Sequence, residues 1–208
     1  PDVKEGQWYP RHLWVDGRRA VRSRGPNLNG EMPFWRLTDA QLSEDLNRYT
    51  LTIEPNRLDP LSNPSDTEVV VIGEWEIVRK RLESLDAERH SVTLKPPHIE
   101  NHRAIRPRRG MACYFENAPD LLDEPGEWYL DRATGIVSYW PLPGEDMTVA
   151  EVIVPRLCRL VEFRGKAAEP VRNVHFRGIH FAYTDWPLPE LGYFGVQACT
   201  HSRCSWKD

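Results

Sequence analysis

The chain has 208 residues, 28% of them charged and 40% hydrophobic, with a formal net charge of -4. That balance excludes a disordered chain and gives no overall pull toward nucleic acid or an anionic membrane. No apolar run approaches the roughly 20 residues of a membrane span, and 18 prolines suit short strands and loops better than long helices.

Leu13 to Val21 reads as a β-hairpin around Asp16-Gly17, the preferred two-residue turn. Two basic clusters, Arg18, Arg19, Arg22 and Arg24, then Arg103, Arg106, Arg108 and Arg109, are expected as solvated strand edges, because no nucleic-acid motif accompanies them. A loop rich in Gly, Pro and Asn runs from Gly25 to Pro33. Thr38 to Leu46 carries a helix start, with Thr38 as cap, Gln41 three residues on, and Leu42 and Leu46 four apart. Residues 54–66 hold Pro55, Pro60 and Pro64 and are predicted as loop. Glu68 to Ile72 is a buried-strand run. Trp75 to Leu85 fits a helical face through Trp75, Val78, Leu82 and Leu85, and a strand through Trp75 and Ile77; the β-rich setting selects strand. Ser91 to Leu94 is a further short strand. Glu127 to Leu130 and Ile136 to Trp140 flank a second hairpin, whose turn needs Asp131 at its start and Gly135 at its end. Asp131 is therefore read as a turn former, not as a catalytic acid.

The last third behaves differently. Val161-Glu162-Phe163-Arg164-Gly165 recurs as Val174-His175-Phe176-Arg177-Gly178, and Ile179-His180-Phe181 continues the alternation. Short strands with apolar residues at every second position, repeated in tandem, are what a β-solenoid requires. His175 and His180 are expected to point outward. The cysteines, Cys113, Cys158, Cys199 and Cys204, are too few for a disulfide scaffold and form no CxxC pair; their disulfide state stays open. The cluster Cys199, His201 and Cys204 is read as an irregular tail, and no metal or cofactor is assigned. Pro1-Asp2-Val3 reads like the start of a piece cut from a longer chain.

Four blocks resemble bacterial right-handed parallel β-helix proteins of glycoside hydrolase families 120 and 141: Leu13 to Asn27, Tyr114 to Trp140, Val154 to Gly165 and Val171 to Trp186. The second, containing LDEPGEWYLDR, is the most specific, and together they cover about a third of the chain in the families' order. The resemblance implies an all-β fold: a β-sandwich or barrel-like inserted domain over residues 1–148, then the first coils of a parallel β-helix over 149–208, with the boundary near Asp146 to Val149. It implies cleavage of glycosidic bonds in a plant or host oligo- or polysaccharide, which ordinarily uses two carboxylates. In the families these lie on coils beyond the point matching Phe181, so no residue here is matched to a catalytic position and the chain alone is expected to be inactive. The stretch Cys199 to Asp208 departs from the family pattern, as expected of a truncation or a frame shift near Ala198. Secretion or a periplasmic location follows from the resemblance alone, and oligomeric state is not set.

Thr184-Asp185-Trp186 follows the last strand of the repeat, where a loop would leave the helix. Trp186 is the candidate to stack on a sugar ring, with Asp185 and Glu190 to bind hydroxyls; the competing reading has Trp186 cover the domain junction. Two other functions compete with a hydrolase. One is a non-catalytic carbohydrate-binding or surface β-helix module. The other is a polysaccharide lyase, which typically needs Ca²⁺ at clustered acids, whereas Asp123, Glu124 and Glu127 fall in a turn.

Overall fold

The computed structural model describes residues 2–44, 48–57, 59–96, 106–188 and 192–196. Six strands close into an antiparallel barrel: β5 (Trp35–Leu42), β6 (Tyr49–Ile53), β7 (Glu68–Ile72), β8 (Glu76–Asp86), β9 (Ser91–Leu94) and β10 (Ala112–Glu116). Their order is β8-β7-β10-β5-β6-β9, and β9 returns to β8. Closure leaves the barrel without a free edge along this path. The alternation in β6 makes the reason plain. Tyr49, Leu51 and Ile53 are buried in the barrel core, while Thr50 and Thr52 face outward and are partly exposed. Val69, Val71, Val78, Leu82, Cys113 and Phe115 complete the interior. The fold is all-β, and the described helices are two short 3-10 turns, Pro64–Asp66 and Pro119–Leu121.

The predicted helix at Thr38 to Leu46 is not formed. Residues 35–42 are the strand β5, and Leu46 lies outside the described residues. β5 pairs with β6 on one side and with β10 on the other. A register shift between Leu37 and Asp39 moves the inward set from Leu37 to Ala40 and Leu42. The Thr38–Gln41 capping pair and the Leu42–Leu46 spacing suggest a helix locally, but the barrel's two-sided backbone pairing of β5 overrides them. The stretch after Trp75 is strand, as selected, over Glu76–Asp86, with a register shift between Leu82 and Ser84 that spaces Leu82 and Leu85 by three.

A second lobe packs against the barrel's outer face. The predicted hairpin forms from β1 (Trp14–Val15) and β2 (Arg18–Arg19), with Trp14 opposite Arg19. Asp16 and Gly17 both take positive φ, 46° and 74°, as the tight turn requires. β3 (Val21–Arg22) and β4 (Arg24–Gly25) follow, β3 running parallel to β11 (Glu127–Asp131) and β4 pairing with β10. β11 turns into β12 (Ile136–Tyr139). At that turn the Asp131 carboxylate accepts from the backbone N–H of Ala133 and the Thr134 hydroxyl, at 2.9 and 2.7 Å, which confirms its turn-forming role. β13 (Val152–Ile153) pairs with β1. Leu13, Val15, Ala20, Trp128 and Leu130 form this lobe's own core.

From Val161 to Phe181 the chain carries no strand, only a bridge between Lys166 and Glu169. All these residues are exposed. Phe163, Phe176 and Phe181 contact one another edge to face, at ring separations of 6.0 and 5.5 Å. His175 and His180 are exposed as expected, but so are the apolar residues between them, so strand alternation is not what places them there. β14 (Tyr193–Val196) adds to the edge of β8.

An arginine-lined cleft between the two lobes

β7 begins with a charged residue, Glu68, ahead of Val69-Val70-Val71. Its side chain points away from the barrel core toward the second lobe and is 0% exposed. A carboxylate so buried needs cations around it, and four arginines supply them. Arg11 donates to both its oxygens, at 2.5 and 2.7 Å. Arg132 donates to Oε1 at 3.3 Å, and Arg79 of β8 to Oε2 at 3.5 Å. Arg22 of β3 places Nη1 3.2 Å away. Burial by itself would raise the Glu68 carboxyl, but the charges of Arg22, Arg11 and Arg79 outweigh it and hold it well below the usual carboxylate range. Glu116 of β10 pairs with Arg79 and lies 3.9 Å from Arg11.

Arg22 and Arg24 therefore depart from the expected solvated strand edge. They are 7% and 6% exposed, because the second lobe folds their strands down onto the barrel wall. Arg24 donates to the carbonyls of Pro26 and Pro33 and stacks 4.0 Å from the Tyr114 ring. Arg22 is satisfied less well: its Nε and Nη1 donate no hydrogen bond to any described residue. Burial pulls its guanidinium down to about 10 despite Glu68. Arg106, Arg108 and Arg109 are exposed, as expected, and Arg103 lies outside the described residues.

These side chains wall a cleft of about 520 Å³ between the lobes. Arg11, Arg19, Arg22, Arg24 and Arg79 line it against a single carboxylate, Glu116, with Tyr114 and Trp186 as aromatic surfaces. Trp186 is half-buried, with the Arg11 guanidinium 5.3 Å from its ring centre and Tyr193 edge-on at 5.3 Å. Asp185, next to it, is buried. It accepts the backbone N–H of Arg11 at 3.1 Å and lies 3.8 Å from His12 Nδ1, so it fastens the 184–186 segment to the lobe. Of the candidate residues, the structure thus brings Trp186 to the cleft wall and Asp185 directly behind it; Glu190 lies outside the described residues. Sequence reasoning missed Glu68, Arg11 and Arg79. The available signal was a glutamate heading an apolar strand run, which has no place in a core without a buried cation.

A second cavity, of about 350 Å³, carries Asp59, Asp120, Asp123 and Glu124 with Trp35 and Leu121. Asp120 is engaged there by the backbone N–H and hydroxyl of Ser62. Glu127 lies behind the segment, accepting the N–H groups of Arg24, Asp123 and Glu124; burial pushes it up to about 7. Among the described residues no group of three His, Cys, Asp or Glu could hold a metal. No described helix is long and apolar enough to cross a membrane. Cys113 is a buried free thiol and Cys158 an exposed one; Cys199 and Cys204 lie outside the described residues.

Comparison with known proteins adds to this geometry. Residues 1–142 match the family described as the GH141 insertion domain. A solved structure titled "Glycoside hydrolase" superposes on 86% of the chain at 26% identity, with a TM-score of 0.68. The chain spans 32% of that protein's length. No curated protein matches the sequence.

Proposed function

The chain belongs to the GH141 insertion-domain family, and from that premise we propose that it is the glycan-facing insertion of a carbohydrate-active β-helix protein. The observation that carries this reading is the cleft between the lobes, where Trp186 and Tyr114 offer rings to a pyranose and arginines offer donors to its oxygens. Asp185 contributes by fixing the segment that holds Trp186. In this proposal the parallel β-helix begins within residues 161–181, since β13 and β14 on either side pair with β1 and β8. The exposed apolar ladder Val161, Phe163, Val174, Phe176, Ile179 and Phe181 is then the surface on which further coils of the same polypeptide stack.

The cleft binds and does not cleave. A glycosidase needs one carboxylic acid able to give up a proton and a second carboxylate across the sugar. Here Glu68 is held ionised by arginines and Glu116 is ion-paired with Arg79. The catalytic carboxylates of the parent hydrolase are therefore assigned to β-helix coils outside these residues. The test is to titrate the chain with a panel of plant and host oligosaccharides while assaying sugar release. Binding that weakens at least tenfold in Trp186→Ala, without turnover, is expected. Turnover intrinsic to the chain, or no binding to any glycan, would overturn the reading. An unsaturated product absorbing in the ultraviolet would point instead to a lyase.

A further inference from the structure

We propose that the cleft selects carboxylated sugars, the carboxylate of a uronate docking at Arg22 and Arg19 while its ring faces Trp186. The inference rests on the glycan-binding reading above and names the class of glycan.

Three observations carry it. The first is charge. Five arginines line the cleft against Glu116 alone, and the buried carboxylate that faces them from behind, Glu68, is already shared among Arg11, Arg22, Arg79 and Arg132. The pocket therefore keeps a cationic excess that its own residues do not neutralise, in a protein whose net charge is -4. The second is the state of Arg22. It is 7% exposed, it forms part of the cleft wall, and two of its nitrogens donate no hydrogen bond. Its Nη1 already faces Glu68 at 3.2 Å, so Nε is the donor left without a carboxylate nearby. An unsatisfied buried donor is costly, and a carboxylate presented to the Nε–Nη2 edge is the partner that relieves it. The third is the company the charge keeps. Trp186 and Tyr114 flank the arginines in the same cleft, so an anion is offered together with flat apolar surface. Inorganic anions have no use for that surface, whereas a uronate presents a carboxylate on one edge of a ring and C–H groups on its face. An extended nucleic acid would need a basic track along the surface, and this charge is confined to a cleft.

The experiment uses the 208-residue chain and calorimetric titration with tri-galacturonate, with the same trisaccharide after reduction of its carboxyl groups, and with inorganic phosphate. Tri-galacturonate is expected to bind at least tenfold more tightly than the reduced sugar, a ratio of the size one charge-assisted hydrogen bond supplies. Its affinity should fall as salt is added. Arg19→Gln, at the exposed rim, should weaken tri-galacturonate and leave the reduced sugar unchanged. Arg22→Lys should keep part of the preference that Arg22→Met loses; should either variant at this buried site fail to fold, Arg19→Gln carries the test. Equal binding of the two sugars overturns the charge selection and leaves the glycan-binding reading standing. Displacement of tri-galacturonate by an equimolar amount of phosphate makes the cleft a general anion site and overturns the sugar assignment. Binding of neither sugar overturns both.

Discussion

Two stretches of this chain are rich in apolar residues, and they end in opposite states. In the barrel and its companion lobe, Phe115, Trp128, Leu51 and Val69 are fully enclosed. In residues 161–181, Val161, Phe163, Val174, Phe176 and Phe181 remain 42–53% exposed. The local patterns are alike, since both alternate apolar and polar residues. The difference is closure. The barrel strands find partners on both sides within residues 35–116 and so bury their inward faces against one another. Residues 161–181 have no strand partner among the described residues, so their apolar side chains stay uncovered. An apolar alternation predicts what a segment can bury, while topology decides whether it does.

The contrast can be broken first at its buried end. Phe115→Ala, in the barrel core, should cost about 3–5 kcal/mol, measurable by denaturant unfolding. Glu68→Gln should cost on the order of 3–5 kcal/mol at neutral pH, because it leaves four arginines facing a neutral amide. That penalty has a direction in pH. The folded carboxyl titrates below its unfolded value, so its contribution is complete above the unfolded pKa and disappears as pH falls through the folded one. The two proteins should therefore converge in acid, and a gap that widens there would contradict the network described.

Glu127 offers the opposite sign. Folded, it keeps its proton to about 7, whereas its ordinary value is 4.5. Between those values the folded state binds more protons, so stability falls as pH rises, by an amount on the order of 3 kcal/mol. Glu127→Gln should flatten this slope in thermal unfolding followed from pH 4.5 to 7. The smallest effect belongs to the uncovered stretch. Phe176→Ser should change stability by less than about 0.5 kcal/mol, while reducing the binding of a hydrophobic dye. A loss comparable to that of Phe115→Ala would mean that the ladder is part of the core.

Much of the fold was legible in the residues. The turn residues Asp16-Gly17 and Asp131 to Gly135 specify their hairpins by backbone chemistry that needs no tertiary context, and the Val69 to Ile72 run reads as strand for similar reasons. The bulges near Leu37 and Leu82 were not legible. Each inserts one residue into a period of two, and the resulting spacing of three looks helical until the partner strands are known. The site was legible only in part. Trp186 and Asp185 were singled out because they follow a strand expected at Ile179 to Phe181; that strand does not form, yet Trp186 still lines the cleft. The arginines were visible as charge but not as buried charge, since Arg22 and Arg24 become interior only when the second lobe covers the β7–β10 wall, a contact between residues some fifty to a hundred positions apart.

Hydrogen exchange followed by mass spectrometry on the 208-residue chain tests the contrast most directly. Amides of β7, β8 and β10 are expected to be protected up to the free energy of global unfolding, with those of residues 161–181 exchanging close to their intrinsic rates. Equal protection across both stretches would contradict the account, because it would mean that residues 161–181 bury their apolar ladder as the barrel does.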